Sequence, residues 1–200
     1  MQHRYQVQIE GISPLLQANP KAAQSELYKN KKRSASRQDP TEQWRAFIYR
    51  ADDEKTLLHP SRAMETLLKE AAKDFKASGR RGSMSIPVKR TCWIEGDWLT
   101  LCNKTEPDKV REMNPRNKAG QLVQYYAPEF SPGWRMEFIL DLHDDELVQP
   151  GHLKEILDYG GQRIGIGVDR PKYGRFIVTK FLEIEESKAA KGNGKKAAAA

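Results

Sequence analysis

Arg163, Arg170, Lys172, Tyr173 and Arg175 stand within a short stretch, residues 160–178, that reads GGQRIGIGVDRPKYGRFIV. The chemistry this mixture suits is the grip of a polyphosphate. Guanidinium and ammonium groups pair with phosphate oxygens, bare peptide N–H groups bind anions, and an aromatic ring stacks on a base. Gly160, Gly161, Gly165, Gly167 and Gly174 supply backbone freedom, since a residue without Cβ lets the chain pass very close to a ligand. A glycine cluster by itself marks a turn more often than a site. Set between a predicted helix and a predicted aliphatic strand, this one favours the functional assignment.

Two further basic stretches, around Lys31, Lys32 and Arg33 and around Arg80 and Arg81, could close on the same strand like a finger and a palm. Either alone reads as a solvated loop. Together with the glycine-rich segment they point to a polyanion, bound with an affinity that falls steeply with salt. Signals for catalysis are thinner. His3, His59, His143 and His152 lie in no motif with a nucleophile or a second base. His59, just ahead of a predicted helix, is the one candidate general base, and a loop histidine explains it more simply. Asp141, Asp144, Asp145 and Glu146 follow a predicted strand, where carboxylates commonly form turns. No Cys/His cluster has the spacing of metal ligands. No catalytic residue, metal or cofactor is expected. Of the adjacent Tyr125 and Tyr126, one should face solvent and be free to stack on a base. Trp44, Trp93, Trp98 and Trp134 alternate with apolar neighbours and are expected mostly in the core.

The totals agree with a nucleic-acid partner. The chain has 200 residues, a formal net charge of +7 and a pI near 9.3. An excess of that sign draws polyanions, nucleic acid before anionic membranes. Hydrophobic residues make up 38% and charged residues 30%, so part of the chain must be loop or tail. Cys92 and Cys102 are the only cysteines, and with no apolar signal core at the N-terminus they are expected reduced. No apolar run is long enough to cross a membrane. A cytoplasmic protein is expected.

The elements that must position these groups are legible in part. Tyr5, Val7 and Ile9 alternate with polar residues and mark a strand over 4–12. Residues 17–43 form a long basic insertion, and 44–50 read as a second short strand. A helix capped by Ser61 follows, with Met64, Leu67, Leu68, Ala71, Ala72 and Phe75 on one face. Residues 88–95 and 98–102 read as a hairpin about Gly96-Asp97, and 103–120 as a second basic insertion. Short and long strands are predicted over 122–126 and 134–142. A helix over 150–160 is closed by Gly160-Gly161. The last strand, 175–184, turns Phe176, Val178, Leu182 and Ile184 one way, with Ile177 and Phe181 the other. Residues 187–200 are expected to be a disordered basic tail. The order strand, helix, strand, strand, helix, strand predicts an α+β fold: a modified ferredoxin-like (RRM-like) antiparallel sheet with two helices and long basic insertions, one domain over 1–186.

The run GIGVDRPKYGRF, entering the last strand after a helix and a glycine pair, resembles the C-terminal signature of the RAMP superfamily. That group includes the backbone subunits that coat guide RNA in CRISPR effector complexes. The opening YQVQIEGISPLL and the segment LLHPSRAMETLLKEAAK resemble its first strand and first helix. EGISPLLQANP together with YGGQRIGIGVDRPKYGRF is similar to small phage or prophage proteins. The resemblance covers both ends and the first helix, and implies a domain that grips single-stranded RNA or DNA along its backbone. By position it implies that Gly165, Gly167, Arg170, Lys172, Gly174 and Arg175 form the contact. Arg62 is the nearest match to a basic residue at the start of the family's first helix. The expectation is a non-enzymatic binder of single-stranded nucleic acid, with copies able to line up along the strand. The rivals are a metal-independent ribonuclease using His59, a role histidine plays in some RAMP-type ribonucleases, and a phage interaction or structural protein whose basic loops hold an acidic partner.

Overall fold

The computed structural model describes residues 3–20, 44–77, 82–114, 116, 119–120, 124–143 and 146–184. Lys31, Lys32, Arg33, Arg80, Arg81, Asp144, Asp145 and the 187–200 tail lie outside the described residues. Alternation does in space what it does in sequence. In β1 (His3–Gly11), Tyr5, Val7 and Ile9 turn into the core and Gln6, Gln8 and Glu10 turn away. β1 pairs antiparallel with β8 (Arg135–Leu142) on one side and β9 (Phe176–Ile184) on the other. β4 (Cys92–Ile94) and β5 (Trp98–Leu101) flank β8, and β3 (Leu58–Pro60) pairs with β5. Helices α1 (Ser61–Ala71) and α3 (Pro150–Arg163) bury Met64, Leu67, Leu68, Leu153, Ile156 and Leu157 in the same core as the sheet. The spatial order β9-β1-β8-β4/β5 is the ferredoxin-like arrangement that the strand and helix order predicts. A second sheet, β2 (Leu15–Leu16), β7 (Tyr125–Phe130) and β6 (Lys109–Met113), carries a smaller core of Leu16, Ala127 and Tyr173.

Several local expectations are corrected, each for a physical reason. Residues 88–102 do not make a hairpin. Ser85, Val88 and Thr91 are buried at a helical spacing and form one side of α2 (Ser85–Thr91). β4 and β5 then lie end to end along β8, Cys92 opposite Leu142 and Thr100 opposite Glu137. One strand position of the sheet is filled twice, with Gly96 at φ 78° in the break. Residues 44–50 are not a strand, because Trp44–Ala46 is a 3-10 turn in which the Phe47 amide donates to the Trp44 carbonyl at 3.0 Å. Ser61 does not cap α1; Pro60 precedes the helix in extended conformation, and Ser61 is buried in its first turn.

Gly160 and Gly161 do not stop α3, which runs on to Arg163. A Cβ at Gly160 would lie 2.5 Å from Leu67, and one at Gly161 would lie 2.6 Å from Phe176, so these glycines let the helix seat closely on α1 and β9. The last strand changes face midway. A bulge between Gln8 and Ile9 of β1 and their β9 partners inserts an extra residue. Phe176, Val178 and Phe181 therefore pack on the core, while Ile177 and Leu182 are exposed. Trp134 is fully buried and donates its indole N–H to the Ser13 carbonyl at 2.9 Å, but Trp93 and Trp98 stand in solvent. Of the two cysteines, Cys92 is a buried thiol and Cys102 an exposed one.

Candidate nucleic-acid interface

The glycine-rich segment is a loop that crosses itself. The Ile166 amide donates to the Gly174 carbonyl at 2.9 Å, and the Gly174 amide donates to the Pro14 carbonyl at 2.7 Å. The Val168 amide reaches the Leu16 carbonyl at 3.3 Å, and the Arg175 amide donates to the Ser13 hydroxyl at 2.8 Å. Gly165, Gly167 and Gly174 have φ of 75°, 83° and 73°, a region closed to most side chains. A Cβ on Gly167 would meet the Leu16 carbonyl at 2.6 Å, and one on Gly174 the Ile166 carbonyl at 1.7 Å. These glycines close the loop onto itself and onto the 13–16 segment. The amides of Ile166, Val168, Gly174 and Arg175 are thus spent inside the protein and not offered to a ligand.

Three cationic side chains of the segment converge. Arg163 at the end of α3, Lys172 in the loop and Arg175 before β9 line one open groove of about 790 Å³, with Gln162, Pro171, Ile12 and Ile177. Among the described residues, no carboxylate is ion-paired with any of the three. Ile12 and Ile177 are 44% and 39% exposed, so the cations are flanked by apolar surface. Arg170 faces elsewhere. It pairs with Glu70 at 3.0 Å and shares a recess of about 290 Å³ with Arg62, Thr66 and Gly167. Arg163 and Arg170 also line one further depression with Glu70 and Asp169, which shares Arg163 with the groove and Arg170 with the recess.

Other candidates move. Tyr173, expected to stack on a base, is 5% exposed and packs among Leu16 and Ala127, so the correction is that its ring supports the loop from beneath. The Arg111 guanidinium sits 5.3 Å from that ring and is held by the buried Glu129 carboxylate. Tyr125 and Tyr126 are both half-buried. Arg4 pairs with Asp141 at 3.0 Å and also with Glu95, and among the described residues no group of His, Cys, Asp or Glu is arranged to hold a metal. The uncovered face of the main sheet is also unsuited to a polyanion at its centre. Arg4 and Arg135 are tied to carboxylates there, and β1 and β8 offer no aromatic ring on that side. Sequence reasoning missed Ile12, Gln162 and Ile177, because an isoleucine beside a strand reads as core until the sheet's edge is known.

His59 is 3% exposed, opposite Leu99 on β3, with Nδ1 at 3.4 Å from the Gln17 amide. A group so enclosed is poorly placed to reach a phosphodiester, which counts against the rival reading of His59 as a general base. Burial lowers its pKa from 6.5 to about 4. The unfolded chain takes up this proton near pH 6.5 and the folded chain only near 4. Between those values the unfolded state binds more protons, and stability falls as the pH drops. The loss is expected to total about 3 kcal/mol by pH 4. Urea unfolding from pH 7 to 4.5 should show it, and His59→Leu should lack that component; an equal slope in both proteins would refute it.

No protein-family model matches the chain, and no curated protein matches it either. Solved structures do. The Type III-B Cmr-beta structure bound to cognate target RNA is similar with a TM-score of 0.50 and 12% identity, over 92% of this chain. The chain spans 61% of the length of that protein. Cmr6 from Pyrococcus furiosus is similar with a TM-score of 0.51 and 9% identity, over 88% of this chain and 98% of that one. The fold is RAMP-like, as the sequence resemblance implies. No helix among the described residues is long and apolar enough to cross a membrane.

Proposed function

We propose that this RAMP-like fold serves as a sequence-tolerant binder of single-stranded nucleic acid, gripping its phosphates along the groove between the end of α3 and the start of β9. One observation carries the proposal: Arg163, Lys172 and Arg175 meet at a groove without an ion-paired carboxylate and with Ile12 and Ile177 beside them. Phosphates pair with the cations, and the apolar flank takes base faces that a duplex keeps stacked inside. The loop's hydrogen-bonded crossing fixes the backbone that carries Lys172 and Arg175, which lowers the ordering cost of binding. The similar Type III-B Cmr-beta structure is bound to cognate target RNA, which supports this choice of ligand class. On a long strand, further copies bind beside the first.

Fluorescence anisotropy with labelled single-stranded RNA, single-stranded DNA and duplex tests it. Single strands should bind more tightly than duplex. Three neutralised phosphates imply a slope near −2 in log K against log salt, or about a 15-fold loss from 50 to 200 mM. A duplex preference or a flat salt dependence would sink the proposal.

A further inference from the structure

A second cleft, of about 710 Å³, opens beside the other end of the sheet and is lined by Tyr49, Arg50, Asp52, Pro60 and Trp98. We propose that this cleft takes one nucleobase of the strand held in the basic groove, stacked on Trp98; the inference rests on the nucleic-acid reading above. Trp98 is 47% exposed although it belongs to a strand whose next residue, Leu99, is fully buried. An exposed indole offers a broad apolar face suited to stacking on a base.

The ring is held as a platform. Its centroid lies 5.6 Å from that of Tyr49, at an interplanar angle of 52°. Tyr49 is itself fixed, its hydroxyl donating to the Ala18 carbonyl at 3.2 Å and its amide to the Gln17 side-chain oxygen at 3.2 Å. The cleft's electrostatics suit a base and not a phosphate. Arg50 is engaged with Glu106 at 2.6 Å and with the Glu54 carbonyl at 2.7 Å, and the Asp52 carboxylate stands at the rim. A neutral aromatic guest is compatible with those groups, whereas a phosphodiester would meet a carboxylate and no free cation among the lining residues.

Position links the cleft to the phosphate track. Pro60 is the cross-strand partner of Trp98, and the Ser61 amide donates to the Asp97 carbonyl at 2.9 Å. Arg62, two residues beyond Pro60, lines the recess shared with Arg170. By chain geometry, Trp98 and Arg62 have their Cα atoms within about 13 Å, a reach of a few nucleotides.

The test compares two single-stranded oligonucleotides of equal length, one with bases and one abasic throughout, by anisotropy. Trp98→Ala should weaken the base-bearing strand about fivefold to a hundredfold, as one lost stack does. It should leave the abasic strand unchanged, and Trp98→Phe should keep most of the wild-type affinity. The unchanged affinity for the abasic strand serves as the check that Trp98→Ala is folded, whatever stability the lost contact with Tyr49 costs. Equal weakening of both strands, or of neither, overturns the stacking subsite. Wild type binding neither strand overturns the groove as well, so the two failures are distinguishable.

Discussion

Replacing Arg163, Lys172 and Arg175 together by Glu is expected to weaken single-stranded oligonucleotide binding by at least about a hundredfold. Each cation contributes a charge-assisted hydrogen bond to a phosphate and releases counterions on doing so, and each glutamate adds repulsion where attraction stood. All three side chains are exposed at the groove, so the variant should fold with an unchanged unfolding midpoint. The decisive comparison is a second variant with the same change in net charge placed elsewhere. Lys89, Arg90 and Lys109 are also exposed and line none of the basic recesses described above. Their replacement by Glu should weaken binding far less, because charges beyond a Debye length are largely screened. Comparable losses in the two variants would mean that the protein's general field attracts the ligand and the groove does not.

The second large effect is expected from a single methyl group. Gly174→Ala puts a Cβ about where the Ile166 carbonyl oxygen already lies, 1.7 Å away, on a residue with φ 73°. The left-handed conformation costs an L-residue about 1–2 kcal/mol. Opening the crossing also strains or breaks the Ile166–Gly174 and Gly174–Pro14 hydrogen bonds, each worth about 1 kcal/mol. A destabilisation of about 3–5 kcal/mol should appear in urea or thermal unfolding. Binding should fall too, with net charge untouched, since Lys172 and Arg175 lose their common frame. Gly96→Ala is the control. Gly96 has φ 78° but no atom within 4 Å of an added Cβ, so only the backbone cost remains. If Gly174→Ala is no worse than Gly96→Ala, the loop is not the frame described here.

The loop has two kinds of residue with separate tasks. Its cations are on the outside and replaceable without unfolding. Its glycines, with Tyr173 and the Arg111–Glu129 pair beneath, are structural. A groove of the proposed kind would gain from this division, because its exposed side chains are carried by parts that are themselves packed inside the protein.

The amino-acid sequence by itself determined the periodic elements. β1, α1, α3 and β8 are written in it as repeats of two or of three and four, since burial of one face is a local demand on spacing. It also marked 160–178 as unusual, with Arg163, Arg170, Lys172, Tyr173 and Arg175 as its candidate chemistry, without separating the three that share a groove from the two that do not. Only the tertiary structure decided what each residue of that loop is for. A glycine that clears a ligand and a glycine that clears the Leu16 carbonyl are the same letter, and Tyr173 on a base and Tyr173 over Ala127 are too. The bulge that turns Leu182 outward, the joining of β4 and β5 along one partner, and the exposure of Trp98 follow from contacts between residues far apart in the chain. Local patterns carry no record of such contacts, because which face is buried depends on what the rest of the chain lays against it.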